Sequence, residues 1–280
     1  MHRALADVAA LLACPECGLA LDAGDRALRC GRGHSFDVAR QGYVSLLTGA
    51  STKMSGDTAA MLDARAAFQS AGFFDPIARA VVTAVMARGS VEAVLEIGAG
   101  TGYYLSEVLG ALSTARGIAL DVAKPAARRC ARAHPRAASV LADAWRGLPI
   151  REGVLDTVLA VFAPRNPAEV ARILRPDGRF LVVGPTTRHL AELVGPLNMV
   201  TVDPDKDRRL GESLAGLFDP VRRSVVDYPM SLSHADIAHV VGMGPSAFHA
   251  DDSALGAIAA LPATTEVTAS VVVAEYAVRA

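Results

Sequence analysis

The sequence predicts an α/β fold: a doubly wound, mostly parallel sheet with ligands at the carboxyl ends of its strands. Three observations carry that prediction. Val94-Leu95-Glu96-Ile97 runs into Gly98-Ala99-Gly100-Thr101-Gly102, and a helical pattern starts at Tyr103-Tyr104-Leu105. This is the signature of a buried strand, a tight loop and the amino end of a helix, whose free N–H groups can meet a ligand. The next apolar run, Gly117-Ile118-Ala119-Leu120-Asp121, ends in an acid. Asp121 stands about 20 residues beyond the loop, the offset at which an acid reaches a ribose hydroxyl pair in dinucleotide folds. From residue 91 onward, strand and helix patterns alternate regularly.

In chain order, the first informative stretch is Cys14-Pro15-Glu16-Cys17 followed by Cys30-Gly31-Arg32-Gly33-His34, a C-x2-C-x12-C-x3-H spacing. Two residues between the first cysteines place both thiolates on one turn, and the second pair comes from another turn. The four converge as a closed tetrahedral cage, which makes one structural Zn2+ site with no open position for substrate. Leu19 to Leu28 reads as a hairpin turning at Asp22-Ala23-Gly24-Asp25. So short a segment has no core of its own, so metal binding supplies much of its folding free energy. Residues 35–47 alternate loosely and predict short strands, and residues 48–56 are small and polar and predict a mobile linker. Asp57 is expected to cap a helix with Ala60, Met61, Ala64 and Phe68 on its inner face, ended by Gly72. Asp75-Pro76 opens the next helix and Gly89 closes it.

Further strands are expected near 93–97, 116–120, 138–142, 154–161 and 179–184, with two more after 223. Helices are expected near 103–112, 123–133, 167–174 and 187–196. The last strand, Glu266 to Val278, is expected to pair antiparallel at the sheet edge. The chain thus divides into a zinc-binding module over 1–50 and a main domain over 51–280, with 51–90 a helical linker region.

Composition sets limits. Of 280 residues, 51% are hydrophobic, enough for a sizeable core. No apolar run reaches the ~18 residues of a membrane helix. The opening residues include Asp7 and end in a cysteine motif, unlike a signal peptide, so a cytoplasmic location is expected. A net charge of −1 excludes a global nucleic-acid signature and leaves only local basic surfaces. Four cysteines suit metal before disulfides, and Cys130, far from the cage, reads as a free thiol.

The glycine spelling narrows the ligand. A glycine-rich loop alone also fits NAD or FAD. The spacing Gly98-x-Gly100-x-Gly102, with Glu96 two residues upstream, resembles the cofactor loop of S-adenosylmethionine (AdoMet)-dependent methyltransferases. The zinc motif continues into Ser35-Phe36-Asp37 and Gly42-Tyr43-Val44, then Gly56-Asp57-Thr58-Ala59-Ala60-Met61 and Ala64-Arg65-Ala66-Ala67-Phe68. Phe162-Ala163-Pro164, Arg175-Pro176-Asp177-Gly178 and Arg188-His189-Leu190 follow. Together these resemble the 23S rRNA guanine-N1-methyltransferases, a family that includes enzymes protecting producers of macrolides such as tylosin. The resemblance spans nearly the whole chain and weakens after about residue 225. It implies a Rossmann-like class I AdoMet-dependent methyltransferase fold and a 23S rRNA hairpin as partner. It also implies a homodimer whose zinc modules shape an RNA cleft.

Within that reading, Gly98, Gly100, Gly102 and the adjoining backbone hold the methionine and sugar, beside Glu96. Asp121 meets the ribose, and Asp143-Ala144 flank the adenine. The resemblance places Phe74 and His189 at the cofactor, although relatives often carry Tyr at the first position. Core packing for Phe74 and a capping or surface role for His189 are the alternatives. Guanine N1 carries a proton in neutral water, so a base, or groups that stabilise an O6 anion, should assist. Phe162 is the candidate to stack on the guanine, and Arg165 or Asn166 to contact O6 or a phosphate. Arg165 reads equally as a solvated helix-start residue. Asp57 and His189 are candidates for the base. N1 lies on the Watson–Crick edge, so the target must be unpaired or flipped out. Arg26, Arg29, Arg32 and Arg40 supply cations in the zinc module, and Lys124, Arg128, Arg129, Arg132 and Arg136 form a second basic strip. The competing functions are a small-molecule methyltransferase, a zinc-containing RNA-binding protein without catalysis and a hydride-transfer enzyme.

Overall fold

The computed structural model describes residues 2–47, 54, 56–244 and 252–279. The linker expected over 48–56 lies, apart from Met54 and Gly56, outside the described residues. Helix α1 (Arg3–Val8) precedes an antiparallel three-stranded sheet of β1 (Leu21–Ala23), β2 (Ala27–Cys30) and β3 (Ser35–Asp37). The β1–β2 hairpin pairs Ala23 with Leu28, so its turn lies one to two residues later than the sequence suggests. Then come β4 (Tyr43–Ser45), α2 (Ala59–Ser70), α3 (Asp75–Met86), β5 (Ala93–Ile97), α4 (Tyr103–Ala111), β6 (Arg116–Asp121), α5 (Lys124–Ala133) and β7 (Ala137–Leu141). The remainder is β8 (Leu155–Val161), α6 (Pro167–Ile173), β9 (Leu174–Pro185), α7 (Ala191–Val194), α8 (Lys206–Leu214), β10 (Phe218–Ser233), α9 (His234–Gly242), α10 (Asp252–Ala259) and β11 (Thr264–Val278).

The main sheet has the order β10-β11-β9-β8-β5-β6-β7-β4. The six strands from β9 to β4 are parallel, and β11 runs antiparallel to both of its neighbours. Strands β5, β7 and β8 are buried along their whole length, as expected where helices cover both faces. Alternate residues feed two cores. Val94 joins Phe68, Ile77, Leu105 and Ile237 on one face, and Leu95 joins Leu5, Leu12, Ile173 and Phe180 on the other.

Three expectations need correction. Thr58, rather than Asp57, caps α2, with its hydroxyl accepting the Met61 N–H at 3.2 Å. The expected helix over 187–196 contracts to Ala191–Val194, because Leu190 adopts a left-handed backbone at φ 57°. The final strand is not the edge: β10 pairs along its outer side, so β10 forms the sheet edge. At the opposite edge, β4 leaves the zinc hairpin and pairs with β7, which ties the module to the sheet. The Ala13 N–H also bonds to the Pro149 carbonyl at 2.9 Å.

Candidate cofactor cleft and metal centre

The four predicted metal ligands meet. The donor atoms of Cys14, Cys17, Cys30 and His34 all lie within 4.8 Å of one another. Nδ1 of His34 is 3.5 Å from Cys14 Sγ and 3.3 Å from Cys30 Sγ. Burial pushes the Cys30 thiol up, but the N–H groups of Arg32 and His34 more than offset it and bring it down to about 6. A thiolate-rich sulfur and imidazole set with tetrahedral reach suits Zn2+, so these residues fit the ion.

The glycine loop joins β5 to α4. Gly98, Gly100 and Gly102 have φ values of 65°, 55° and 78°, a left-handed region that a Cβ disfavours. Gly98 has a second constraint: a Cβ there would stand 2.8 Å from the Ala163 Cβ. The loop after β5 and the loop after β8 are therefore in contact. Upstream, Gly56 packs against Ala123, where a Cβ would come within 2.6 Å, and this close approach carries Asp57 over the loop.

Two acids support the loop in different ways. Glu96 is buried, and its Oε2 accepts the Leu105 N–H at 3.0 Å, bracing the first turn of α4 from beneath. Burial, and then the charge of Asp121, push its carboxyl up to about 8. Asp121 accepts N–H bonds from Gly100 and Ala123, both at 2.8 Å, so its carboxylate spans the carboxyl ends of β5 and β6. Burial raises its carboxyl above the ordinary range. With Glu96 held largely protonated, Asp121 is the acid that gives the loop its negative charge, and a partly desolvated acid here favours a cation, which fits a sulfonium cofactor.

Arg65 is the nearby cation; it stands in the 64–68 stretch that carries the resemblance, but the sequence assigns it no role. Its guanidinium pairs with Asp57 at 2.5 Å, donates to the Met243 carbonyl at 2.7 Å and reaches the space above Gly100. Asp57 is thus engaged by the Arg65 guanidinium. Gln69, a buried polar residue of the same helix, accepts the Thr101 hydroxyl at 2.7 Å. The carboxylate of Asp143 caps the short turn that follows β7, accepting the Trp145 N–H at 3.0 Å, with Ala144 buried beside it.

Phe74, Phe162 and His189 come together as an aromatic cluster at the carboxyl ends of β8 and β9. Ring centroids are 6.1 Å apart for Phe74 and Phe162, and 6.2 Å for Phe74 and His189. Phe74 is buried at the amino end of α3, whereas Phe162 is 40% exposed. Phe162 has φ 52°, a left-handed conformation rare for a bulky residue and characteristic of functional loops. Nδ1 of His189 accepts the Ser270 N–H at 3.1 Å, and burial, then Lys206, lower the imidazole to about 4. His189 is therefore neutral at physiological pH with its proton on Nε2, a donor rather than a base.

Asn166 caps α6 and donates to the Ala144 carbonyl at 3.5 Å. Arg165 is partly buried, and burial lowers its pKa. The basic strip on α5 separates on folding. Arg129 pairs with Asp63, and Arg136 bonds the carbonyls of Leu109 and Ala115, which leaves Lys124, Arg128 and Arg132 exposed. In the zinc module, Arg26, Arg29, Arg32 and Arg40 are exposed. A cavity of about 530 Å3 separates the Cys14–Gly18 turn from the loop after β7 and is lined by Asp143, Arg146, Arg151 and Arg172.

Comparison with known proteins agrees with this geometry. Residues 12–55 match a zinc-ribbon family described as RlmA, N-terminal, and residues 94–178 match a family described as Methyltransferase domain. The 23S rRNA (guanine(748)-N(1))-methyltransferase of Streptomyces fradiae is 48% identical over 269 residues, covering 95% of this chain and 96% of that one. A protein of Micromonospora griseorubida with the provisional name 23S rRNA (guanine-N(1)-)-methyltransferase is 46% identical over 285 residues, covering 95% of this chain and 96% of that one. A Bacillus subtilis protein with the same provisional name is 33% identical, covering 64% of this chain and 66% of that one. With the zinc ligands, the glycine loop and the β8 loop all in place, the chain belongs to the 23S rRNA (guanine-N1)-methyltransferase family.

Proposed function

We infer that this protein transfers the methyl group of AdoMet to N1 of one guanosine in a 23S rRNA hairpin. The observation that carries this reading is the contact between the loop after β5 and the loop after β8, at Gly98 and Ala163. It sets the exposed Phe162 ring beside the cofactor loop, so a base stacked there stands next to a bound methyl donor. AdoMet supplies an activated sulfonium methyl, and the chain's task is to position and discharge the acceptor. The backbone of 98–102, Asp121 and Asp143-Ala144 hold the cofactor, and Glu96 fixes the helix end under it. Phe74 and His189 stand at the cofactor, with the Phe162 ring next to both.

The cavity between the zinc turn and the loop after β7, lined by Arg146, Arg151 and Arg172 together with Asp143 and Glu152, leaves room for an acceptor larger than one base. The zinc module, residues 1–50, grips RNA shape with Arg26, Arg29, Arg32 and Arg40 while the main domain takes one flipped base. Among the described residues no helix is long and apolar enough to cross a membrane. We place the enzyme in the cytoplasm with its rRNA substrate and take the active species to be a homodimer.

The test is primer extension on an unmodified 23S rRNA hairpin transcript after incubation with protein and AdoMet. N1 methylation blocks base pairing, so a new AdoMet-dependent stop at one guanosine is expected. Absence of a stop on both the transcript and intact ribosomal particles, with AdoMet binding retained, would transfer the assignment to a small-molecule substrate. Hairpin affinity should fall as salt rises. A strictly monomeric protein–RNA complex would remove the dimer.

A further inference from the structure

Helix α8 has charged residues Lys206, Asp207, Arg208, Arg209 and Glu212. Four of them are ion-paired: Asp207 with Arg223, Arg208 with Glu212, and Arg209 with Asp203. Lys206 is the exception. Among the described residues no hydrogen bond or ion pair engages its ammonium.

Its position is not an ordinary surface one. Lys206 is half-buried, and its Cε lies 3.9 Å from where a Cβ on Gly184 would stand, near the carboxyl end of β9. From there it acts electrostatically on His189, the ring stacked on Phe162, and on Arg165 in the loop after β8. Arg165 has the same character: its guanidinium reaches only the Ala163 carbonyl, at 3.4 Å, and no carboxylate among the described residues pairs with it. The other charged or titratable groups around the pair are Tyr276 on β11, Asp207 on the same helix and Arg223 on β10. Asp207 is already held by Arg223 at 2.7 Å. Burial and mutual repulsion lower the Lys206 pKa. Lys206 and Arg165 are both partly desolvated, and Asp207, the acid that acts on both, is already paired with Arg223, so an anion arriving beside them would be stabilised.

We propose that Lys206 and Arg165 bind O6 of the target guanine and stabilise the negative charge that develops as N1 loses its proton. This rests on the function proposed above, and it assigns the electrostatic role in that reaction to two residues. The N1–H bond breaks and its proton passes to solvent. The electron pair left behind spreads over N1 and O6, where the two cations meet it. N1 then bonds the methyl carbon as the carbon–sulfur bond breaks, and that pair stays on sulfur. An anion and a sulfonium thus become two neutral groups. His189 can add a third donor from Nε2, and no side-chain base is required.

A backbone phosphate could occupy the same cations, and the experiment separates the two anions. Methylation of the hairpin transcript is followed in single turnover, at saturating RNA and AdoMet, from about pH 6 to about pH 9. Wild type, Lys206→Met and Lys206→Arg are compared, with RNA and AdoMet affinities measured alongside. Lys206→Met should react about 100-fold more slowly near neutral pH, as expected for loss of one charge-stabilising donor. Its rate should keep climbing at alkaline pH where wild type has levelled, because the N1 proton is lost with less help. Both affinities should hold, and Lys206→Arg should recover most of the rate. An unchanged rate and pH profile, or lost RNA affinity with an unchanged saturated rate, would assign Lys206 to a phosphate and overturn the proposal. Equal losses in the Arg and Met variants would overturn it in favour of a proton-accepting amine. Methylation by wild type in the same assay isolates this question, and its absence would overturn the functional reading itself.

Discussion

The imidazole of His189 stacks on the ring of Phe162, with centroids 5.7 Å apart and planes 24° from parallel. Phe162 also has Phe74 near it, yet it remains 40% exposed and so keeps surface on which a base can pack. Stacking on a nucleobase is worth ~1–3 kcal/mol by alanine substitution. Phe162→Ala should therefore lower kcat/KM for hairpin methylation by about 10- to 100-fold. Phe162→Tyr should retain activity, and the thermal midpoint should barely move. Steady-state methylation kinetics and a melting curve check both statements.

The same stack sets a pH dependence. His189 titrates near 4 in the folded protein, below its ordinary 6.5, because burial and then Lys206 disfavour the imidazolium. Between these values the unfolded chain binds the proton and the folded chain does not. Stability from this group is complete above about pH 6.5 and is lost as pH falls toward 4, by up to about 3 kcal/mol. His189→Gln keeps an acceptor for the Ser270 N–H and removes the titration. Its urea stability should be flatter than wild type over that window. An unchanged acid slope would show that His189 is not the group responsible.

Two glycine substitutions should have opposite consequences. A methyl group on Gly98 would meet the Ala163 Cβ at 2.8 Å, on a backbone at φ 65°. Gly98→Ala should displace the loop after β8 and weaken both AdoMet binding and methylation by tenfold or more, an estimate of about 1.4 kcal/mol or above. A Cβ on Gly110, within α4, meets nothing within 4 Å. Gly110→Ala should stabilise the protein by about 0.5–1 kcal/mol without affecting activity. Calorimetric AdoMet titration and chemical denaturation distinguish the two.

Metal removal should act locally. The β1–β3 sheet has strands of three, four and three residues, too little to hold without the cage. Chelation, or Cys17→Ser, should abolish hydrogen-exchange protection in β1–β3 and reduce RNA affinity. Amides of β5 and β8, buried along their length, should remain protected. Equal loss of protection in both sheets would mean that the zinc supports the whole fold.

Features that depend on near neighbours in the chain are legible in the amino-acid sequence. The zinc spacing, the strand entering Gly98, the acid at Asp121 and the Pro76 helix start are each confined to a few tens of residues, so periodicity and turn chemistry suffice to find them. Asp57 shows where that reasoning stops. Asp57 and Thr58 are both good caps by residue type, and Thr58 takes the role while Asp57 turns to Arg65. Lys206 has no local signal at all, because the lack of a hydrogen-bond or ion-pair partner among the described residues is visible only in the folded chain.

By itself, the sequence determined the parallel sheet, the glycine loop after β5 and the metal ligands, since local apolar patterning and fixed residue spacing dictate each of them. Only the tertiary structure decided which strand forms the edge, that β4 joins β7, and that Phe74, Phe162 and His189 share one cluster. It also decided that Arg65, bonded to Met243 across 178 residues of chain, lies over Gly100. Those choices depend on contacts between distant segments, where many residues could pair and the winner is set by burial, register and unpaired charge.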